Sequence, residues 1–142
     1  MVFRLDAGRG EYLLLKRAPH VFYGGIWQYV TGTVEPGEHT VATIMREVRE
    51  ETGLTPEALY RVPDVGRFYL AEDDAIHLVS VFAARVARDI PVRISGEHTG
   101  YDWQDRETAG TTLYWPFNRR MVNLVDDNLV QGELPDLWRI AL

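Results

Sequence analysis

No cysteine occurs in the 142 residues, which excludes a disulfide framework and any thiolate metal site. Cations are outnumbered: 15 Lys and Arg stand against 21 Asp and Glu, for a formal net charge of -6. Such a chain is poorly suited to a polyanionic duplex, whose binding depends on Lys and Arg neutralising phosphates, so no nucleic-acid polymer is expected as partner. No apolar run approaches the roughly 20 residues of a membrane span. The first residues, MVFRLDAGRGEYLL, lack the apolar core of a signal peptide. Internal repeats, low-complexity tracts and linkers are missing as well. From these absences a soluble, cytoplasmic protein with no membrane partner is expected, folding as a single domain over 1–142.

Acid, by contrast, is concentrated. In GTVEPGEHTVATIMREVREETGL, residues 32–54, the pair Pro36-Gly37 marks a turn and Gly53 a left-handed helix cap. Between them Val41, Ile44, Met45 and Val48 recur at i, i+3, i+4 and i+7, the apolar stripe of a helix against a core. Glu47, Glu50 and Glu51 fall on another side, three carboxylates on one strip. Like charges at that spacing destabilise a helix unless a cation sits among them. A plain solvated acidic face is the bland alternative.

Spacing decides between the two. Gly32, Glu38, Arg46, Glu47, Val48, Glu50, Glu51, Gly53 and Leu54 satisfy G-x5-E-x7-R-E-U-x-E-E-x-G-U, with U an apolar residue, at every specified position. The chain therefore resembles the Nudix hydrolases. That resemblance implies an α/β fold, the Nudix-type α/β/α sandwich with a central mixed β-sheet, and a metal-dependent hydrolase of phosphoanhydrides. Three shorter stretches, WQYVTGTVEPGE before the box, SGEHTGYDW well after it and the pair Asn118-Arg119, are similar to the branch acting on dATP and dihydroneopterin triphosphate. The implied reaction releases pyrophosphate and a monophosphate from a nucleoside or pterin polyphosphate. A dinucleoside polyphosphate or nucleotide-sugar hydrolase is the rival within the class, and Tyr69 resembles the tyrosine of diadenosine polyphosphate enzymes. A nucleotide-sensing module without turnover is the rival outside it.

Hard oxygen donors on a rigid element suit Mg2+, with Mn2+ as a substitute, because magnesium is held by carboxylates plus substrate phosphates. Glu47, Glu50, Glu51 and, by the resemblance, Glu97 are the candidate ligands. Glu50 or Glu97 is the candidate general base, and Arg46 the residue that orients the carboxylates. Gly32 permits close backbone approach, and Glu38 suits the positive end of the helix dipole. Arg17 is either a phosphate contact or a solvated strand end. Trp27 is either a stacking surface for a base or a core aromatic. His98 reads as structural or as a support for a ligand, Tyr101 and Trp103 as packing, and His77 as one half of a cross-strand pair or a hydrogen-bonded surface residue.

Short strands are expected at 2–5, 12–16, 26–31, 65–70 and 76–86, the last two forming a hairpin. A helical turn is expected at 57–60, a short helix from DRETAG, and a longer one opened by Pro116 with Phe117, Met121, Leu124, Val125 and Asn128 on one face and Gly132 as its stop. The tail LPDLWRIAL has enough apolar residues to dock on the body or on the second copy of a homodimer.

Overall fold

The computed structural model describes residues 1–132 and 135–142, so Leu134 of the tail lies outside the described residues. The strands are β1 (Val2–Asp6), β2 (Arg9–Arg17), β3 (Trp27–Gln28), β4 (Ala58–Leu70), β5 (Ala75–Arg85), β6 (His98–Gln104) and β7 (Arg139–Ile140). The helices are α1 (Thr40–Thr52), α2 (Arg106–Thr112), α3 (Pro116–Val125), which widens into a π-helical turn at Asp126–Val130, and α4 (Pro135–Trp138). No helix among the described residues is long and apolar enough to cross a membrane.

One mixed sheet carries all seven strands of the described residues. β2 is its axis. β6 runs antiparallel along one edge, and β1 and then β3 occupy the other. β1 continues into β5 through the parallel pairs Val2↔Ala84 and Phe3↔Arg85, and β5 into β4 and β7. Alternation along β2 sorts the core into two layers. Leu13 and Leu15 pack with Val48, Leu54 and Leu59 on the α1 face. Tyr12 and Leu14 pack with Ala109, Leu113, Met121, Val122 and Val125 on the α2–α3 face. The result is the expected α/β/α sandwich.

Three local expectations are corrected. The anticipated turn at 57–60 is the start of β4. Ala58, Tyr60 and Val62 join one core layer and Leu59 the other, an alternation that pairing with β5 and β7 rewards and a helical turn would break. The strand anticipated at 26–31 contracts to Trp27–Gln28, where β2 offers Lys16 and Leu15 as partners. Beyond it Tyr29 is buried and donates its hydroxyl to the Asn118 carbonyl at 3.1 Å. The stripe through Asn128 is not one α-helix either, because the π turn interrupts it after Val125. There Asp126 is buried and accepts the Tyr12 hydroxyl at 2.7 Å. His77 does form a cross-strand pair, stacked on Phe68 at 5.3 Å.

Candidate active site

α1 ends as its sequence requires, on Gly53 at φ 70 with its N–H on the Arg49 carbonyl at 2.8 Å. Its acidic strip divides into two groups. The first is organised by Arg46. One terminal nitrogen donates to Glu47 at 2.7 Å and to Glu50 at 3.2 Å, while Nε and the other nitrogen clasp Glu38 at 3.1 and 3.0 Å. That second nitrogen also reaches the Thr33 carbonyl at 3.2 Å. Glu38 further accepts the hydroxyl of the buried Thr43 at 2.7 Å. Arg46 first and Thr43 second hold its carboxyl down at about 2. The planar guanidinium thus offsets the like-charge cost of the strip and fixes its side chains. Glu38 is occupied by this clasp in addition to its place before the helix.

Gly32 faces the same group. A Cβ there would overlap the Cδ and Cγ of Glu47, so only glycine lets the incoming loop pass. Gly32→Ala is expected to displace Glu47 and to lower kcat/KM on the order of 10²-fold, what about 1 Å of misplacement in a site can cost. Steady-state kinetics beside a near-native circular dichroism spectrum would check it, and an unchanged kcat/KM would remove Gly32 from the site.

Glu51 belongs to the second group. It is 6% exposed, although the sequence places it on the polar side of α1. One carboxylate oxygen, Oε2, has no hydrogen-bond partner among the described residues and lies 4.0 Å from Nε2 of the buried His98, which is likewise unpartnered among them. Burial first, then the charges of Glu47 and Glu97, push the Glu51 carboxyl up to about 8, against the pull of Arg17 and the Thr31 backbone. Burial and then Arg17 hold His98 below the ordinary imidazole value, so the contact is not an ion pair at neutral pH. Glu97 is exposed on the loop before β6, and its carbonyl accepts the Ala18 N–H at 2.8 Å. The same loop is laced to the end of α1 through Ser95 N–H to the Glu51 carbonyl at 3.2 Å.

The structure therefore brings Gly32, Glu38, Arg46, Glu47 and Glu50 together, and beside them Glu51, Glu97 and Arg17. Trp27 stands apart: its half-buried ring joins the α2–α3 core layer under Lys16. The hydroxyl of Tyr69 is engaged by Asp74 at 2.8 Å near the hairpin tip. A cavity of about 390 Å³ lined by Arg9, Asp102, Gln104 and Asp105 opens at the other end of β6 from Glu97. Among the described residues no three acidic or imidazole side chains close around one metal position, since Arg46 occupies Glu47 and Glu50. The donors nevertheless suit a hard divalent cation: they are all oxygens, and a buried carboxylate oxygen lacks a partner. Sequence reasoning missed the depth of Glu51 and the approach of His98 to it. A histidine after Glu97 signals neither, because both follow from how the loop before β6 is tied to the end of α1, Ser95 N–H to the Glu51 carbonyl and Arg93 N–H to the Thr52 carbonyl.

A family model, that of the NUDIX domain, matches residues 1–125, a span that contains Gly32, Arg46 and the glutamates. The chain belongs to the Nudix family. Among curated relatives, an octanoyltransferase of Myxococcus xanthus is 39% identical over 112 residues, 72% of this chain, and this chain spans only 29% of that protein. An asymmetrical bis(5'-nucleosyl)-tetraphosphatase of Mus musculus is 29% identical over 77% of this chain and 74% of its own. Among solved structures, the dihydroneopterin triphosphate pyrophosphohydrolase of E. coli superposes with a TM-score of 0.69 at 24% identity, covering 92% of both chains. That likeness shows a shared Nudix fold.

Proposed function

We propose that this Nudix protein is a divalent-metal-dependent pyrophosphohydrolase acting on a nucleoside triphosphate or a pterin triphosphate. The observation that carries the reading is Glu51. A buried, unpartnered carboxylate oxygen beside two carboxylates pinned by one arginine is a costly arrangement unless a cation completes it. Glu47, Glu51 and Glu97 would hold the cation, with Glu50 either as a further ligand or as the base. When bound, such a cation offsets phosphate charge and makes a water more acidic. The chain's own residues do the rest. Arg46 keeps the Glu47 and Glu50 oxygens in place, so little reorganisation accompanies attack. Glu50, whose side chain is 59% exposed, or Glu97 accepts the proton of the attacking water at a carboxylate oxygen. Arg17, at the end of β2 next to Glu51, offers a positive charge to the departing phosphates.

The mouse relative favours a second reading, asymmetric cleavage of a dinucleoside tetraphosphate. One experiment separates the two. Purified protein with magnesium or manganese is incubated with dNTPs, dihydroneopterin triphosphate, diadenosine tetraphosphate and ADP-ribose in oxygen-18 water. The expected products are a labelled monophosphate and unlabelled pyrophosphate, as attack at the α-phosphorus requires. ATP and AMP from the tetraphosphate would install the second reading. Orthophosphate as the first product, or no turnover of any compound, would refute the proposal.

A further inference from the structure

Resting on that reading of the carboxylate site, we infer that the aromatic cluster Phe22, Tyr23, Tyr114 and Trp115 is a platform on which the planar heterocycle of the substrate stacks. Phe22, Tyr23 and Tyr114 are 58%, 47% and 55% exposed, yet Tyr23 and Tyr114 each meet Trp115 edge-on and Phe22 packs at a tilt on Tyr23. Ring centroids lie 4.1 Å apart for Phe22–Tyr23, 5.1 Å for Tyr23–Trp115 and 4.9 Å for Tyr114–Trp115. Three exposed rings grouped around the half-buried Trp115 are a surface in need of an occupant.

The platform is built rigidly from two sides. Residues 18–25 form a loop whose ends are tied, Arg17 N–H to the Ile26 carbonyl at 3.0 Å and Gly25 N–H to the Arg17 carbonyl at 2.9 Å. Tyr23 sits at φ 56, a left-handed conformation that non-glycine residues adopt at a cost. At Gly24 a Cβ would meet the Ala18 and Pro19 carbonyl oxygens at 2.7 Å, so the tight turn behind the tyrosine admits no side chain. From the other side, Trp115 is the N-cap of α3, ahead of Pro116. Arg119 clamps the preceding turn, Nε to the Leu113 carbonyl at 2.6 Å and a terminal nitrogen to the Tyr114 carbonyl at 3.4 Å.

A short path links the platform to the carboxylates. Arg17 donates Nε to the Phe22 carbonyl at 2.7 Å. Its backbone pairs with His98 across β2 and β6, and His98 approaches Glu51 at 4.0 Å. A ring on the aromatics would therefore trail its phosphates past Arg17 toward Glu51. The occupant this geometry fits is a nitrogen heterocycle, purine or pterin, carrying a polyphosphate. Because stacking is tolerant of ring identity, the platform grades substrates by ring size more than by edge pattern.

The test compares ring-bearing and ringless substrates. In Trp115→Ala and Tyr23→Ala, the ratio of kcat/KM for a nucleoside triphosphate to that for inorganic tripolyphosphate is expected to fall roughly 5- to 100-fold, the value of one base–aromatic stack. Tyr23→Phe, which keeps the ring, should hold the wild-type ratio and so guards against a misfolded alanine variant. Equal losses on both substrates, or an unchanged ratio, would overturn the platform. Equilibrium dialysis with guanosine and neopterin, which carry no phosphate, separates this inference from the proposed function. Binding weakened by Trp115→Ala supports the platform even in a protein that hydrolyses nothing. Turnover without any contribution of Trp115 to nucleoside binding leaves the hydrolase and removes the platform.

Discussion

Glu51→Gln is expected to lower turnover on the order of 10³-fold with the fold intact, a larger loss than removal of any other single carboxylate. The amide preserves shape inside the buried position but withdraws the carboxyl oxygen that has no partner among the described residues, and a divalent ion loses a hard ligand that ionises on binding it. Metal titration by calorimetry beside steady-state kinetics checks both halves. Wild-type turnover in the variant, or undiminished wild-type activity in excess chelator, would sink the metal assignment. A stability signature accompanies the loss. The folded-state carboxyl is raised to about 8 from an ordinary 4.5, so its contribution to stability is complete below about pH 4.5 and is withdrawn as pH rises toward 8. The metal-free wild type should therefore lose melting temperature relative to Glu51→Gln across that interval. Added divalent cation should restore the wild type alone.

Arg46→Ala should produce the next largest effect, on the order of 10²-fold in kcat/KM. One side chain bonds three carboxylates and offsets part of their charge, and without it Glu38, Glu47 and Glu50 repel one another across the helix and the loop before it. Arg46→Lys should recover only part of the loss, since a single ammonium cannot reproduce the fork that spans Glu38 and Glu47. The distinguishing readout is salt. Screening should relieve the alanine variant's lost stability, measured as the midpoint of urea unfolding, while leaving the wild type nearly unchanged. Equal salt responses would mean that Arg46 acts as packing only.

The box helix was legible because its information is local. Val41 to Val48 carry the apolar period, Gly53 the cap and Arg46 the neutralising charge, all within one continuous segment. The exclusion of a disulfide, drawn from absent cysteine, likewise needs only the chain itself. The turn at 57–60 was misread for the opposite reason. Ala58 to Tyr60 become strand through β5 and β7, partners remote in sequence, and pairing energy outweighs local propensity.

What the sequence determined by itself is the chemistry available: three glutamates and an arginine on one helical strip, a glycine before them and a further glutamate between two glycines. The tertiary structure decided how that chemistry is divided. It assigned Glu38, Glu47 and Glu50 to Arg46, and it buried Glu51 against His98 without a partner. It also set Tyr23 beside Trp115 from segments more than 90 positions apart. Side-chain spacing on one helix follows from its 3.6-residue period, whereas burial and the partner of a charge depend on which distant strand or loop packs over it.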